Sequence, residues 1–209
     1  GAGRTELAMS LFGKSYGENI SGQIFLNGKE VVLNTVQDAI DHKLAYVTED
    51  RKGNGLILSN PIKINTTLAN LDDVSKNGII DKDKEYAVAV EYKNKLATKC
   101  PTVEQNVGNL SGGNQQKVLL AKWMFANPDV LILDEPTRGI DVGAKYEIYC
   151  IINRLVAEGK SVIMISSEMP EILGMCDRIY VMNEGKMVGE LDGKEATQEI
   201  IMSRILQSS

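Results

Sequence analysis

Leu110-Ser111-Gly112-Gly113-Asn114-Gln115-Gln116 reads as a glycine-rich helix start, and Val130-Leu131-Ile132-Leu133-Asp134-Glu135-Pro136-Thr137 follows as an apolar run ending in two carboxylates. Ser111 is a residue type that caps helices, while Gly112 and Gly113 allow backbone N–H groups to approach an anion closely. The turn therefore suits a phosphate at a helix N-terminus. Taken alone, such a turn is more often only a cap. The second segment decides the matter. Its continuous apolar pattern is that of a strand buried on both faces of a parallel sheet, and it delivers Asp134 and Glu135 at the carboxyl end, where open α/β sheets bind ligands.

The chemistry of that position is specific. At this point of a P-loop NTPase an Asp holds Mg²⁺, and a neighbouring carboxylate orients or deprotonates the attacking water. Asp134 takes the first part and Glu135 the second, catalytic one. An acidic helix start after a strand is the competing reading, and the glycine-rich turn upstream disfavours it.

At these residues the sequence resembles the ATP-binding cassette ATPases, whose signature matches Leu110 to Gln116 and whose Walker B strand matches Val130 to Glu135. Asn114-Gln115-Gln116-Lys117, Pro136 to Lys145 and Thr48-Glu49-Asp50-Arg51-Lys52 look like the second cassette of bacterial simple-sugar importers of the ribose, galactose and xylose type. In that group one polypeptide carries two cassettes in tandem. The likeness runs from Gly1 to about Leu191 and does not name the sugar. It implies an α/β P-loop fold: a mostly parallel sheet flanked by helices, an antiparallel β subdomain and a helical subdomain. It also implies ATP and Mg²⁺ as cofactors. The implied partners are a first cassette of the same polypeptide or a second ATPase subunit, membrane permease subunits and, indirectly, a periplasmic or lipid-anchored sugar-binding protein. The implied location is the cytoplasmic face of the membrane.

Composition agrees with this. The 209 residues are 43% hydrophobic and 24% charged, enough to bury a large core. One domain is expected over 1–209, with a helical subdomain over about 54–108 and a closing hairpin and helix over about 178–209. A formal charge of −5 argues against nucleic acid as the partner. Cys100, Cys150 and Cys176 are an odd number at wide spacings, which reads as reduced thiols used in packing. No apolar run approaches the roughly 20 residues of a membrane span, so a membrane role is expected to come through a partner.

Gly1-Ala2-Gly3-Arg4-Thr5-Glu6-Leu7 reads as the last part of a phosphate-binding loop running into a helix, as in a fragment that begins inside the loop. Aligned on the family pattern, Gly1 and Gly3 are loop glycines, Arg4 takes the place of Lys, and Thr5 supplies the hydroxyl that ligates Mg²⁺. Arg keeps the charge, but its planar fork is wider than an ammonium, so the change is not conservative. A dinucleotide fold would need a third glycine, which does not follow.

Ser21 to Leu33 alternates around Asn27-Gly28 and predicts an antiparallel ribbon. A short amphipathic segment then runs from Thr35 to Leu44, and a strand at Ala45-Tyr46-Val47-Thr48 leads to Glu49. His42, on that segment, reads as a solvated residue with nothing nearby to orient it as a base. The resemblance places Glu49 where cassettes carry the Gln that touches Mg²⁺ and reports nucleotide state to the membrane subunit. A carboxylate can ligate Mg²⁺, but its charge weakens unmetallated triphosphate binding. The alternative is an ion pair with Arg51 or Lys52 on a wet loop.

From Asn54 to Thr98 the sequence turns polar and ends in a charged helical run over about Lys82 to Leu96. Ile57, Leu58, Ile62 and Leu68 read either as a docking groove for the permease or as ordinary core. After Glu135, the loop through Asp141 resembles the D-loop that crosses to the opposing cassette. Val142 to Ala157 reads as a helix and Ser161 to Ile165 as another buried strand. Ser167 then stands where catalytically complete cassettes place a His, and a short neutral hydroxyl cannot carry a proton near pH 7. Arg178 to Leu191 predicts a closing hairpin, and Thr197 to Leu206 an amphipathic helix.

The resemblance thus divides the motifs. Arg4, Glu49 and Ser167 depart from the pattern in the nucleotide half-site made within the cassette, while Ser111, Gly112, Gly113 and Gln115 of the signature, used on the partner's nucleotide, are intact. The expected function is the ATP-binding half of a sugar importer. The alternatives are a catalytically weak regulatory or dimerisation cassette, or a soluble cassette ATPase that does not transport.

Overall fold

A computed structural model describes residues 2–14 and 16–207. Gly1, expected as a loop glycine, lies outside them. In chain order the elements are α1 (Arg4–Leu11), β1 (Ile24–Leu26), β2 (Lys29–Val31), α2 (Val36–Asp41), β3 (Leu44–Val47), a π-helical turn (Arg51–Gly55), α3 (Ile62–Thr67), β4 (Ser75–Lys76), β5 (Ile79–Ile80) and α4 (Lys82–Lys95). Then come α5 (Gly112–Phe125), β6 (Val130–Asp134), α6 (Val142–Ala157), β7 (Ser161–Ile165), α7 (Met169–Met175), β8 (Arg178–Asn183), β9 (Lys186–Asp192) and α8 (Gln198–Leu206). The chain divides into two units, one of Gly1–Asp41 with Met164–Ser209 and one of His42–Ile163.

A sheet of order β3-β6-β7 has β3, β6 and the start of β7 in the second unit. β3 and β6 are parallel, with Tyr46 opposite Ile132 and Val47 opposite Leu133. Their apolar runs are buried as a parallel strand requires: Ala45, Val47, Leu131 and Leu133 are inaccessible. α5 supports them. It is buried on nearly every side, Val118, Leu119 and Leu120 being core residues, and it encloses two lysines, Lys117 and Lys122. β7 departs from expectation. It forms where the apolar run predicts, but Ser161 and Ile163, which alternate along the strand and so share one face, are exposed.

The polar stretch after Asn54 resolves into α3, a 3₁₀ turn, the short β4–β5 hairpin and α4. Asp81 caps α4 by accepting from the Asp83 and Lys84 amides, and Lys93 and Lys95 sit in its last turn. Asn65, fully buried, substitutes for backbone: its carboxamide accepts from the Ile57 amide at 2.8 Å and donates to the Ile57 carbonyl at 3.0 Å. Ile62 is core, 2% exposed, which removes it from any docking surface, whereas Ile57 and Leu68 are exposed.

In the first unit β1 and β2 join through Asn27-Gly28, both at positive φ, as a tight hairpin turn requires. β8 and β9 join likewise through Glu184-Gly185. Ile179, Val181 and Ile201 form a core with Ile172, Leu191 and Ile205, and Thr197 caps α8 by accepting from the Ile200 amide at 3.3 Å. Among the cysteines Cys150 is exposed, which corrects its reading as a packing residue, while Cys100 and Cys176 are half-buried. His42 lies exposed just past the end of α2.

Candidate functional site

β6 ends in a fully buried aspartate. Asp134 accepts from the Tyr46 hydroxyl at 2.9 Å through Oδ2, and its Oδ1 has no hydrogen-bond partner. A buried carboxylate oxygen left unpaired is costly unless a ligand completes it. An oxygen-seeking cation such as Mg²⁺ fits that atom. Among the described residues no group of three or more His, Cys, Asp or Glu is placed to hold a metal, so the remaining ligands would be a hydroxyl, phosphate or water. Glu135 follows immediately at φ 46°, a left-handed backbone that bends the chain out of the strand. The Arg138 amide closes the turn on the Glu135 carbonyl at 3.1 Å, and Thr137 is buried beneath it.

At the start of α5 the structure corrects one expectation. Ser111 occupies the cap position, but its hydroxyl makes no cap bond. Asn114 donates to Ser111 Oγ at 2.9 Å and accepts from the Lys99 amide at 2.8 Å. The Ser111 hydroxyl is thus fixed as an acceptor on one side, leaving its proton for an anion. The N–H groups of the first turn have no intrahelical acceptor and present the positive end of the helix. Gly112 and Gly113 stay glycine for separate reasons. A Cβ on Gly112 would lie 2.9 Å from Arg51 Nη2, and one on Gly113 would lie 2.5 Å from the Ala144 Cβ of α6. Gln115 is buried and donates to the carbonyls of Val107 and Leu110, so its amide holds the turn leading into the signature.

Asp141 caps α6, accepting from the Ala144 amide at 2.9 Å. The loop before it is gripped from the π-helical turn. Arg51 donates to the carbonyls of Arg138 at 2.8 Å and Gly139 at 3.3 Å, and Glu49 pairs with the Arg138 guanidinium. The expected partners of Glu49, Arg51 and Lys52, are not the ones it takes. Lys122, almost fully buried on α5, donates to the Gly55 carbonyl at 2.7 Å, and burial pushes its ammonium down to about 8. Lys117, also buried, donates to the Ala97 carbonyl at 2.9 Å and pairs with Glu147 at 2.8 Å, which holds that carboxyl below its usual range.

Asp134, Glu135, Glu49, the signature and Asp141 therefore all belong to the second unit. Gly3, Arg4, Thr5 and Ser167 belong to the first. There Gly3 sits at φ 84°, with a Cβ that would lie 3.1 Å from the Gly185 Cα, and the Gly185 amide donates to the Ala2 carbonyl at 3.1 Å. Arg4 and Thr5 open α1 half-buried, while Ser167 is exposed; its neighbour Ser166 is buried and accepts from the Glu168 amide at 3.0 Å. Sequence reading missed Tyr46, Asn114, Arg51 and Lys122. Only Asn114, three residues past the cap, stood where a local signal could have found it.

The family described as ABC transporter matches residues 1–138. The L-arabinose transport ATP-binding protein AraG of Geobacillus stearothermophilus is 59% identical over 97% of this chain and 39% of its own length. The xylose import ATP-binding protein XylG of Thermoanaerobacter pseudethanolicus is 56% identical over 97% of this chain and 40% of its own length. The chain thus spans about two fifths of the length of these relatives. The solved ADP conformation of MJ1267, an ATP-binding cassette of an ABC transporter, superposes with a TM-score of 0.77 at 18% identity, covering 99% of this chain and 82% of that one. At that identity the likeness is one of fold.

Proposed function

The chain belongs to the ABC transporter family, and from that premise we propose that it is an ATP-binding cassette of an importer for a simple sugar, ATP hydrolysis being its chemistry. The carrying observation is the end of β6: a buried Asp134 with one oxygen unpaired, followed by Glu135 on a left-handed turn. Asp134 would hold Mg²⁺, which when bound neutralises charge on the phosphates, and a metal-ligating hydroxyl at Thr5 is what the family resemblance implies. Glu135 orients and deprotonates the attacking water. Gly3 and Arg4 serve the phosphates of this cassette's own nucleotide. Ser111, Gly112 and Gly113 donate to the γ-phosphate held by a partner cassette, with Gln115 and Asn114 keeping that turn in shape. The names of the relatives, L-arabinose and xylose transport proteins, support the sugar class. A permease in the membrane is the implied partner, and among the described residues no helix is long and apolar enough to cross a membrane.

One observation favours a second reading. Glu49 is engaged by Arg138, and Arg4 and Ser167 replace the residues expected at their positions. A cassette of that kind binds nucleotide to hold the pair together while the partner site turns over. ATP binding and phosphate release by the intact polypeptide, with Glu135→Gln and Gly112→Asp, separate the readings. Turnover lost in Glu135→Gln with binding kept supports hydrolysis at this cassette. Loss in Gly112→Asp alone supports the signature-donating reading. Turnover unchanged by both variants rejects the functional assignment.

A further inference from the structure

Arg51 stands apart from the residues assigned above. It lies in no phosphate-binding motif and on no catalytic strand, and yet it touches two motifs at once. Its Nη1 donates to the Arg138 carbonyl at 2.8 Å and its Nη2 to the Gly139 carbonyl at 3.3 Å. The same Nη2 fills the space where a Gly112 side chain would begin, 2.9 Å from that Cβ position. One planar guanidinium therefore bridges two successive carbonyls of the loop before α6 and backs the first residue of α5. A lysine ammonium, a point donor, cannot reproduce that fork.

The base that carries Arg51 is itself fixed. Asp50 caps the π-helical turn by accepting from the Gly53 amide at 2.9 Å, and Lys122 of α5 holds its last carbonyl, that of Gly55, at 2.7 Å. One residue before the cap, Glu49 grips the side chain of Arg138 whose carbonyl Arg51 holds. The segment from Glu49 to Gly55 thus clasps the loop by main chain and side chain and rides on the signature helix.

We propose that Arg51 is a positioning residue that sets the signature turn and the loop from Arg138 to Asp141 in a single register, so that a displacement at Glu49 moves both together. The inference rests on the ATPase reading for its consequence but not for its geometry. Removing the fork releases the loop locally. It then lowers turnover by misplacing groups that act only in the transition state, and leaves nucleotide binding nearly intact.

The test is residue-resolved hydrogen exchange and ATP hydrolysis by the intact polypeptide with Arg51→Met, which keeps the aliphatic stem and removes every donor. The Arg138 amide, bonded to Glu135, and the Ala144 amide, bonded to Asp141, report the loop. The Lys63 amide, bonded to Val103 in the same unit, is the control. Exchange at Arg138 and Ala144 is expected to quicken by about tenfold or more, with Lys63 unchanged, since two hydrogen bonds from a cationic donor are lost. Arg51→Lys falls between Met and the parent. In the same variants kcat drops about tenfold while KM for ATP stays within about twofold. Unchanged exchange at Arg138 and Ala144, or equal quickening at Lys63, overturns the proposal. Local quickening in a polypeptide that shows no ATPase even when unsubstituted leaves the positioning role standing and sinks the catalytic reading instead.

Discussion

The Tyr46 hydroxyl donates to Asp134 Oδ2 across 2.9 Å, from β3 to the last residue of the neighbouring β6. That bond fixes one oxygen and turns the unpaired Oδ1 toward whatever completes it. Tyr46→Phe leaves both oxygens without a donor from the described chain. The variant is expected to lose about 1–3 kcal/mol, the cost of an unsatisfied buried acceptor, and to need more Mg²⁺ for half-maximal ATPase. Denaturant titration and a Mg²⁺ titration of phosphate release read the two effects. Parental values in both would show that the phenol only packs.

Glu135 holds a left-handed backbone at φ 46°. That conformation costs a side-chain-bearing residue about 1–2 kcal/mol, which glycine avoids at a smaller entropic cost. Glu135→Gly is therefore expected to melt above Glu135→Ala, since both lose the side chain and only glycine sheds the backbone strain, while neither hydrolyses ATP. Equal melting temperatures for the two variants would contradict the strain.

α5 and α6 meet where Gly113 faces Ala144, a Cβ on Gly113 falling 2.5 Å from that of Ala144. Gly113→Ala should destabilise by about 1–3 kcal/mol through overpacking. Adding Ala144→Gly should return most of the loss, and independent, additive costs in a double-mutant cycle would contradict the contact.

Lys122 yields a pH signature. Burial lowers its ammonium from 10.5 to about 8, so between those values the unfolded chain holds a proton that the folded chain has released. Stability then rises with pH across that window and gains nothing from this group below about 8. The full gap corresponds to roughly 3 kcal/mol. Lys122→Met should flatten the rise relative to the parent in denaturant titrations at pH 7.5 and pH 10. Parallel curves would show that the ammonium is solvated.

Local signals were legible in the sequence and distant ones were not. Asn27-Gly28, the apolar run into Asp134, and the helix opening after Asp141 each depend on neighbours along the chain, and each formed as read. The grip of Arg51 on residues 87 and 88 positions away, and of Lys122 on a carbonyl 67 away, has no periodic trace. The apolar pattern of Ser161 to Ile165 predicted a strand, but a continuous apolar run does not say which of its faces is covered, and so the exposure of Ser161 and Ile163 was missed. Ser111 carried the right residue type for a cap, and Asn114 captured its oxygen instead.

The two signature glycines face different neighbours, one the movable end of an arginine side chain and the other the first carbon of an alanine in a packed helix. In evolutionary terms they are open to separate selection. A lineage that abandoned the contact with a partner's nucleotide could let Gly112 drift once Arg51 shifted or changed. It would keep Gly113 for as long as α5 and α6 stayed in contact. Retention of the second glycine in a descendant would then testify to the helix pair, and retention of the first to the seat of Arg51 beside it.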